Sequence, residues 1–300
     1  MPKVMQLIIR KHATQVLLCV MMLLVGGCSM VRLGYGQLDT IAVWMAHDYF
    51  DLNTDQRDAF AQRFERLHAW HRYEQLPEYA RFLSDARTRA QRGLGTEDML
   101  WLFDGVKARY GVIAMRAAPE AADLLATLSG PQIESFRREL DKANQKFLRE
   151  NRTSESLAAR RQAQQRRTLA QLRDWVGPLS SAQEQRIIAL LQQVPLVDKL
   201  RHEDRLNRQR ELLAILAMRN EDRGTFTRRI RDWLTQWESG RSPQLAQAFT
   251  ESWRRRAEFY AAVDRLLTAE QRSHLTHRLR DFAEDFRQLA ERGSTATKAY

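Results

Sequence analysis

Cysteine, glycine and proline are scarce in this chain, and each scarcity removes a class of structure. Two cysteines, Cys19 and Cys28, cannot supply the disulfide framework on which small secreted domains depend. Thirteen glycines and seven prolines among 300 residues leave long stretches without a helix breaker. Good helix formers, chiefly Ala, Leu, Arg, Gln and Glu, fill those stretches. Sustained alternation of apolar and polar residues bounded by turn signals is missing, which argues against a sheet. Catalytic signatures are missing too. There is no G-x-S-x-G, no phosphate-binding loop and no dinucleotide fingerprint, and Gly34-Tyr35-Gly36 is too short to cradle a phosphate. These absences predict an all-α multi-helix bundle that is not an enzyme and needs no cofactor.

Acidic residues are absent before Asp39, and the chain opens with Lys3, Arg10 and Lys11. An apolar run follows from Ala13 to Val25, broken only by Thr14 and Gln15, and ends in Val25-Gly26-Gly27-Cys28-Ser29. The run is about 13 residues long, and a helix needs roughly 20 to cross a bilayer. A basic start, a short apolar core and small residues before a cut site describe an export signal. The segment resembles the lipobox of bacterial lipoprotein precursors. That resemblance implies cleavage between Gly27 and Cys28, a diacylglyceryl thioether on Cys28, and acylation (typically palmitate) of the new amino terminus. Several acyl chains make a durable anchor where one is marginal. Ser29 stands where an Asp would favour the inner membrane, so the expected location is the periplasmic face of the outer membrane. Cys19 leaves with the signal, and no free cysteine nucleophile remains.

Loss of residues 1–27 removes three basic residues and no acidic one, so the formal charge falls from +11 to +8. A basic body suits anionic lipid, polyanions or acidic proteins. An exported, lipidated protein does not normally meet nucleic acid, so none is expected. Arginine far outnumbers lysine.

One pattern occurs four times: Leu52-Asn53-Thr54-Asp55-Gln56, Leu128-Ser129-Gly130-Pro131-Gln132, Leu179-Ser180-Ser181-Ala182-Gln183 and Leu267-Thr268-Ala269-Glu270-Gln271. The Asn, Ser or Thr side chain can accept from the N–H three residues on, and the Gln can reach back to the N–H of the cap. That is a capping box, with Leu at the position of a hydrophobic staple. Apolar residues follow each Leu at helical spacing: Phe60 and Phe64, Phe136 and Leu140, Ile187 and Leu191, Leu275 and Leu279. The copies fall into two pairs, which predicts two tandem four-helix-like halves. The expected organisation is a signal peptide over 1–27, a lipidated tether over 28–37, an N-terminal half over 38–151, a linking helix over 152–177, a C-terminal half over 178–292 and a disordered tail over 293–300. Within the intervals, helices are expected near 77–92, 97–126, 196–219, 225–238 and 243–266, with Pro119 kinking or restarting the second. Fully extended, the tether would reach roughly 30 Å.

Two further resemblances rest on these residues. The Leu-Ser/Thr-x-x-Gln signature resembles that of the small periplasmic helical chaperones of the Spy and CpxP group. The likeness implies a fused pseudo-dimer of their helical cradle. The run Arg32-Leu33-Gly34-Tyr35, Leu38-Asp39, Trp44, Tyr49, Leu52 and Gln56 resembles an uncharacterised family of proteobacterial lipoproteins. It implies a helical, anchored protein and supplies no activity.

Other residues are candidates for sites. Aromatic residues crowd the stretch from Tyr35 to Tyr79, as a client groove, a membrane-facing patch or simply core. His68/His71 and His274/His277 are spaced three apart, so each pair can share a helix face. Glu65, Glu74 or Glu270 could add a carboxylate for zinc or copper. The alternative is solvated surface histidine, and no metal site is assigned. Arg149 to Arg173 includes Arg152, Arg160, Arg161, Arg166 and Arg167; Arg228, Arg229 and Arg231 form a second cluster, and Arg254 to Arg256 a third. Each could contact phosphate headgroups or an acidic partner, or be a solvated helix face. The leading expectation is a membrane-anchored lipoprotein that binds an envelope protein partner or an unfolded client. The alternatives are a structural component touching membrane or wall polymer through basic patches, and a metal-binding lipoprotein.

Overall fold

The computed structural model describes residues 28–297. The signal peptide expected over 1–27, including Gly27, lies outside the described residues, as do the side chain of Cys28 and residues 298–300 of the expected tail. The described chain is all helix, with no strand: α1 Cys28–Gly36, α2 Leu38–Phe50, α3 Thr54–Trp70, a π-helical turn His71–Gln75, α4 Leu76–Gln91, α5 Thr96–Ala126, α6 Gly130–Asn151, α7 Leu157–Val176, α8 Ser181–Leu191, α9 Asp198–Ala217, α10 Arg223–Thr235, α11 Pro243–Asp264 and α12 Ala269–Thr297. None of the described helices is long and apolar enough to cross a membrane.

Several local results bear on these expectations. Residues 28–36, within the stretch expected as a lipidated tether, are helical. At 1.5 Å per residue the segment spans about 14 Å. Pro77 stands in the first turn of α4, where a helix near 77–92 was expected, but no break in the chain precedes it. Its missing N–H breaks the ladder of a helix that runs on from α3, and the backbone widens into the π turn just before it. Pro119 does not interrupt α5. The carbonyl freed by a helical proline lies four residues earlier, on Met115, whose side chain is exposed to water. At the far end, α12 continues through Thr297, into the stretch expected as tail.

All four repeats cap helices as read. Asn53, Ser129, Ser180 and Thr268 accept from the N–H of Gln56, Gln132, Gln183 and Gln271, and each Gln accepts from the N–H of its cap. The glutamines then do something the capping rule does not foresee. Gln132 Nε2 donates to Gln56 Oε1 at 2.6 Å and to the Asp51 carbonyl at 3.0 Å. Gln56 Nε2 donates to the Thr127 carbonyl at 3.0 Å and lies 3.3 Å from Gln132 Oε1. The second pair repeats the plan. Gln183 Nε2 donates to Gln271 Oε1 at 2.8 Å and to the Leu266 carbonyl at 2.9 Å, and Gln271 Nε2 donates to the Pro178 carbonyl at 2.6 Å and to Gln183 Oε1 at 3.1 Å. In every case the accepting carbonyl belongs to the residue just before the partner's leucine. Two helix starts are thus tied head to head, twice. Gly177, at φ +83°, supplies the left-handed turn that leads into Pro178.

The leucines are not ordinary staples. A staple partner belongs four positions past the cap, where the chain has Arg57, Ile133, Glu184 and Arg272. Only Leu128 finds an apolar residue there. Leu52 and Leu128 instead join one buried cluster with Phe136, Leu140, Leu212, Leu216, Phe226 and Ile230. That cluster draws on both expected halves. Another joins Ala86 and Ala90 of α4 to Leu275 and Leu279 of α12, and α4 lies along α12 in the most extensive helix pair of the fold. α5 packs on α10 and α11. Residues 38–151 and 178–292 therefore interleave around shared cores. Gly105 marks one close approach: a Cβ there would collide with the Phe82 ring, which Trp101 and Arg109 also hold.

Truncating Gln132 to Ala removes a cap and leaves the Asp51 carbonyl and the Gln56 amide short of partners in a buried place. The expected loss is about 2–4 kcal/mol in urea denaturation. The double variant Gln56→Ala/Gln132→Ala should lose clearly less than the sum of the single losses. Additive losses would show that the two amides do not act as a pair.

Candidate functional site

The amino-terminal helices meet the rest of the chain at the π turn, where one of the two histidine pairs lies. Widening the helix at residues 71–75 displaces side chains from the ordinary helical rows, and such turns often mark functional positions. His68 is at the end of α3 and His71 at the start of the turn. Tyr35 of α1 lies over both rings, with centroids 4.5 Å from His68 and 5.8 Å from His71. The Tyr35 hydroxyl donates to His71 Nδ1 at 2.8 Å when the imidazole carries its proton on Nε2. His68 Nδ1 lies 2.8 and 2.9 Å from the two carboxylate oxygens of Asp39, at the start of α2. Tyr79 closes the far side of His71, edge on at 5.2 Å, and Arg72 sits over the Tyr35 ring.

Electrostatics keep this cluster neutral at the tyrosine and at His71. Burial, with a smaller contribution from the neighbouring His68, lowers His71 to a pKa of about 4. Burial raises Tyr35 well above the ordinary phenol range, against a smaller opposing pull from Arg72. The phenol is therefore a donor and the His71 imidazole an acceptor. His68 is 6% exposed, and its Nε2 is buried with no hydrogen-bond partner. An Asp–His pair with a free nitrogen can serve as a general base, but no hydroxyl or thiol bonds to that nitrogen. The cluster is a docking joint. It holds α1 and α2 to the body, helped by Arg32, which pairs with the buried Asp285 at 3.2 Å and donates to Gln288. Burial raises the pKa of Asp285, and Arg32 offsets it.

The outer surface of these two helices is apolar. Leu33 and Trp44 are each 64% exposed, and Ile41 and Met45 are exposed beside Trp44 at helical spacing. α2 has no buried residue at all, although its composition is apolar. The aromatic stretch thus divides. Tyr49, Phe50 and Phe60 pack on the core, Tyr35 is buried at the joint, and Trp44 and Tyr73 point outward.

The remaining candidates are placed as follows. His68 and His71 are not the solvated surface residues expected; the docking of α1 covers them. His274 and His277 are exposed on α12, and His277 Nδ1 lies 2.8 Å from the Ser273 carbonyl. No group of three or more His, Cys, Asp or Glu among the described residues is arranged to hold a metal ion. The Arg149–Arg173 stretch is largely engaged within the molecule. Arg160 grips Asp198 with two bonds of 2.7 and 2.6 Å, Arg161 donates to the Val194 carbonyl, and Arg152 and Arg173 pair with Glu155 and Glu184. Arg254 and Arg255 share Glu251 and Glu258 on the surface of α11. Sequence reasoning missed Tyr35 and Asp39 as the partners of the histidines. Both stood in the run that suggested a lipoprotein family, where nothing joined them to residues more than 25 positions away.

An all-α bundle whose amino-terminal helices are stapled through histidines is the class of protein that these features define. The chain belongs to a family of unknown function, DUF6279, whose pattern matches residues 48–245. The match takes in three of the four capping repeats. The fourth, at Leu267–Gln271, lies beyond it, as do α1 and Cys28. No curated protein matches the chain, and no solved structure matches it.

The joint should respond to acid. His71 titrates near 6.5 when unfolded and near 4 when folded. Its stabilising contribution is complete above pH 6.5 and is lost as pH falls to about 4, because only the unfolded chain takes the proton in that window. The size is about 3 kcal/mol at most. Urea denaturation of the parent and of His71→Leu across this range should show the parent losing more stability. Parallel losses would remove His71 as the cause.

Proposed function

We propose that this protein is a lipoprotein, anchored through Cys28 at the periplasmic face of the outer membrane, that acts by binding an envelope protein partner or an unfolded client. The outward apolar surface of α1 and α2 supports the reading most. Leu33, Ile41, Trp44 and Met45 are exposed on helices that start at Cys28, and the Tyr35–His71 and Asp39–His68 contacts hold that surface in a fixed direction. Apolar side chains around an exposed tryptophan suit the boundary between headgroups and acyl chains. Because residues 28–36 are coiled and pinned, the anchor would keep the body against the bilayer.

A partner surface is available on the middle of α5. Val112 and Met115 are exposed there, and an open groove runs past Gly111, Val112, Met115 and Arg116 to Thr235. Exposed apolar residues of this kind favour a protein partner over the alternative of a structural component held only by basic patches.

The anchor is tested by mass spectrometry of the amino-terminal peptide from membranes. A peptide beginning at a diacylglyceryl-modified Cys28 is expected, and Cys28→Ser should release the protein from the membrane fraction. An unmodified Cys28 on a retained amino terminus would refute the anchor. A photo-crosslinking residue at Met115 should capture an envelope protein in cells, while the same residue at Glu251 on the charged face of α11 should not. Equal capture at both positions would remove the α5 surface from the proposal.

A further inference from the structure

Two adjoining cavities have opposite character. The first, of about 280 Å3, lies among α7, the 194–197 turn, α9 and α11, and is lined by Arg160, Arg167, Arg201 and Arg256. Asp198 is its one carboxylate, and Arg160 occupies it through both oxygens. Arg167 donates only to the Glu150 carbonyl. Arg201 and Arg256 make no ion pair or side-chain hydrogen bond to any described residue. Three guanidiniums therefore converge without a counter-charge. Protein packed around Arg201 lowers its pKa, and Arg256 and Arg167 lower it further. Arg167 and Arg201 are exposed, so this end is open to solvent. Asn151, Gln164 and Thr168 add neutral polar groups to its wall.

The second cavity, of about 470 Å3, is lined by Phe82, Leu102, Phe103, Trp175, Val263 and Leu279 among others. Its one lining carboxylate, Asp264, is taken by Arg272 at 2.9 and 3.0 Å and by the Leu94 N–H. Apart from Gln171, the wall that remains is apolar or aromatic. Tyr260 and Gln171 line both cavities, so the two share a boundary made of one aromatic ring and one amide.

We propose that the two cavities form one site for an anionic amphiphile with a single hydrocarbon chain, such as a monoacyl glycerol phosphate. Its phosphate lies between Arg167, Arg201 and Arg256, and its chain passes Tyr260 into the space lined by Phe82, Phe103 and Trp175. Like charges gathered without a carboxylate are costly, and an oxyanion relieves the cost through charge-assisted hydrogen bonds. An apolar cavity of this volume is in the range of small-ligand sites and gains from filling by hydrocarbon. Neither cavity alone points to this ligand; their contact does. The inference stands apart from the anchor and from the α5 groove, because neither Val112 nor Met115 lines either cavity.

The test uses the full chain in nanodiscs of neutral diacyl lipid and a monoacyl glycerol phosphate carrying a diazirine in mid-chain. Adducts are expected on residues lining the apolar cavity, in peptides from α4, α5, α7 and α11. Arg201→Gln/Arg256→Gln should cut this labelling at least about tenfold, as should replacing the probe with the neutral monoacylglycerol. Val263→Trp, which fills the apolar cavity, should also abolish it. Without ligand, the double arginine variant should melt no lower than the parent, since it removes repulsion; that separates lost binding from lost folding. Equal labelling by the neutral probe would overturn the proposal, and so would adducts confined to outer helix faces. Loss of labelling on adding millimolar inorganic phosphate would mean that the arginines serve free phosphate, and would equally overturn it.

Discussion

A primary amide has two donor hydrogens and an acceptor oxygen with two lone pairs, and burial obliges all of them to find partners. In each glutamine pair they do. Gln56 Oε1 accepts from the Asn53 N–H and from Gln132 Nε2, while its own Nε2 reaches the Thr127 carbonyl and Gln132. Gln183 and Gln271 complete the same set. A hydroxyl or carboxylate in that position could not donate twice and accept twice. The pattern therefore demands glutamine, and it demands a second glutamine opposite. Each pair also claims the carbonyl before the partner's leucine, so the chain entering one helix is fixed by the side chain that starts the other.

Much of the architecture depends on those two ties. Four helices leave the paired starts in set directions, and the intervening segments must return to them. Leu52 and Leu128, held beside the first pair, seed the largest buried cluster, which α9 and α10 complete from far along the chain. The second pair sits between the clusters around Ile187 and Leu275, bridged by Leu179. Polar recognition sets position, and apolar burial supplies most of the stabilisation.

The sequence showed the caps, the stripes behind them and the helical character, because each is local and periodic. Helices expected at 97–126, 225–238 and 243–266 lie at 96–126, 223–235 and 243–264. What it could not show depends on distant partners. Asn53 and Gln56 are three residues apart and predictable, whereas Gln56 and Gln132 are 76 apart and meet only in the fold. The leucines looked like staples because their position was right; the residues four past each cap, three of them charged, already argued otherwise. His68 and His71 looked solvated because the helix that covers them lies before them in the chain and has few polar residues to betray a contact. The arginine stretch looked uniform, yet Arg160 and Arg161 brace the 194–198 turn while Arg167 turns toward a cavity.

The π turn at residues 71–75 has one more effect. Inserting an extra residue into a helical turn advances every later side chain by about 100° around the axis. α3 and α4 form one rod from Thr54 to Gln91 but serve different neighbours: α3 lies against α2 and α5, and α4 lies along α12. A straight helix with a single apolar stripe could satisfy only one of these directions. The turn changes the phase of the stripe partway along, so a single rod can join the amino-terminal helices at one end to the carboxy-terminal helix at the other.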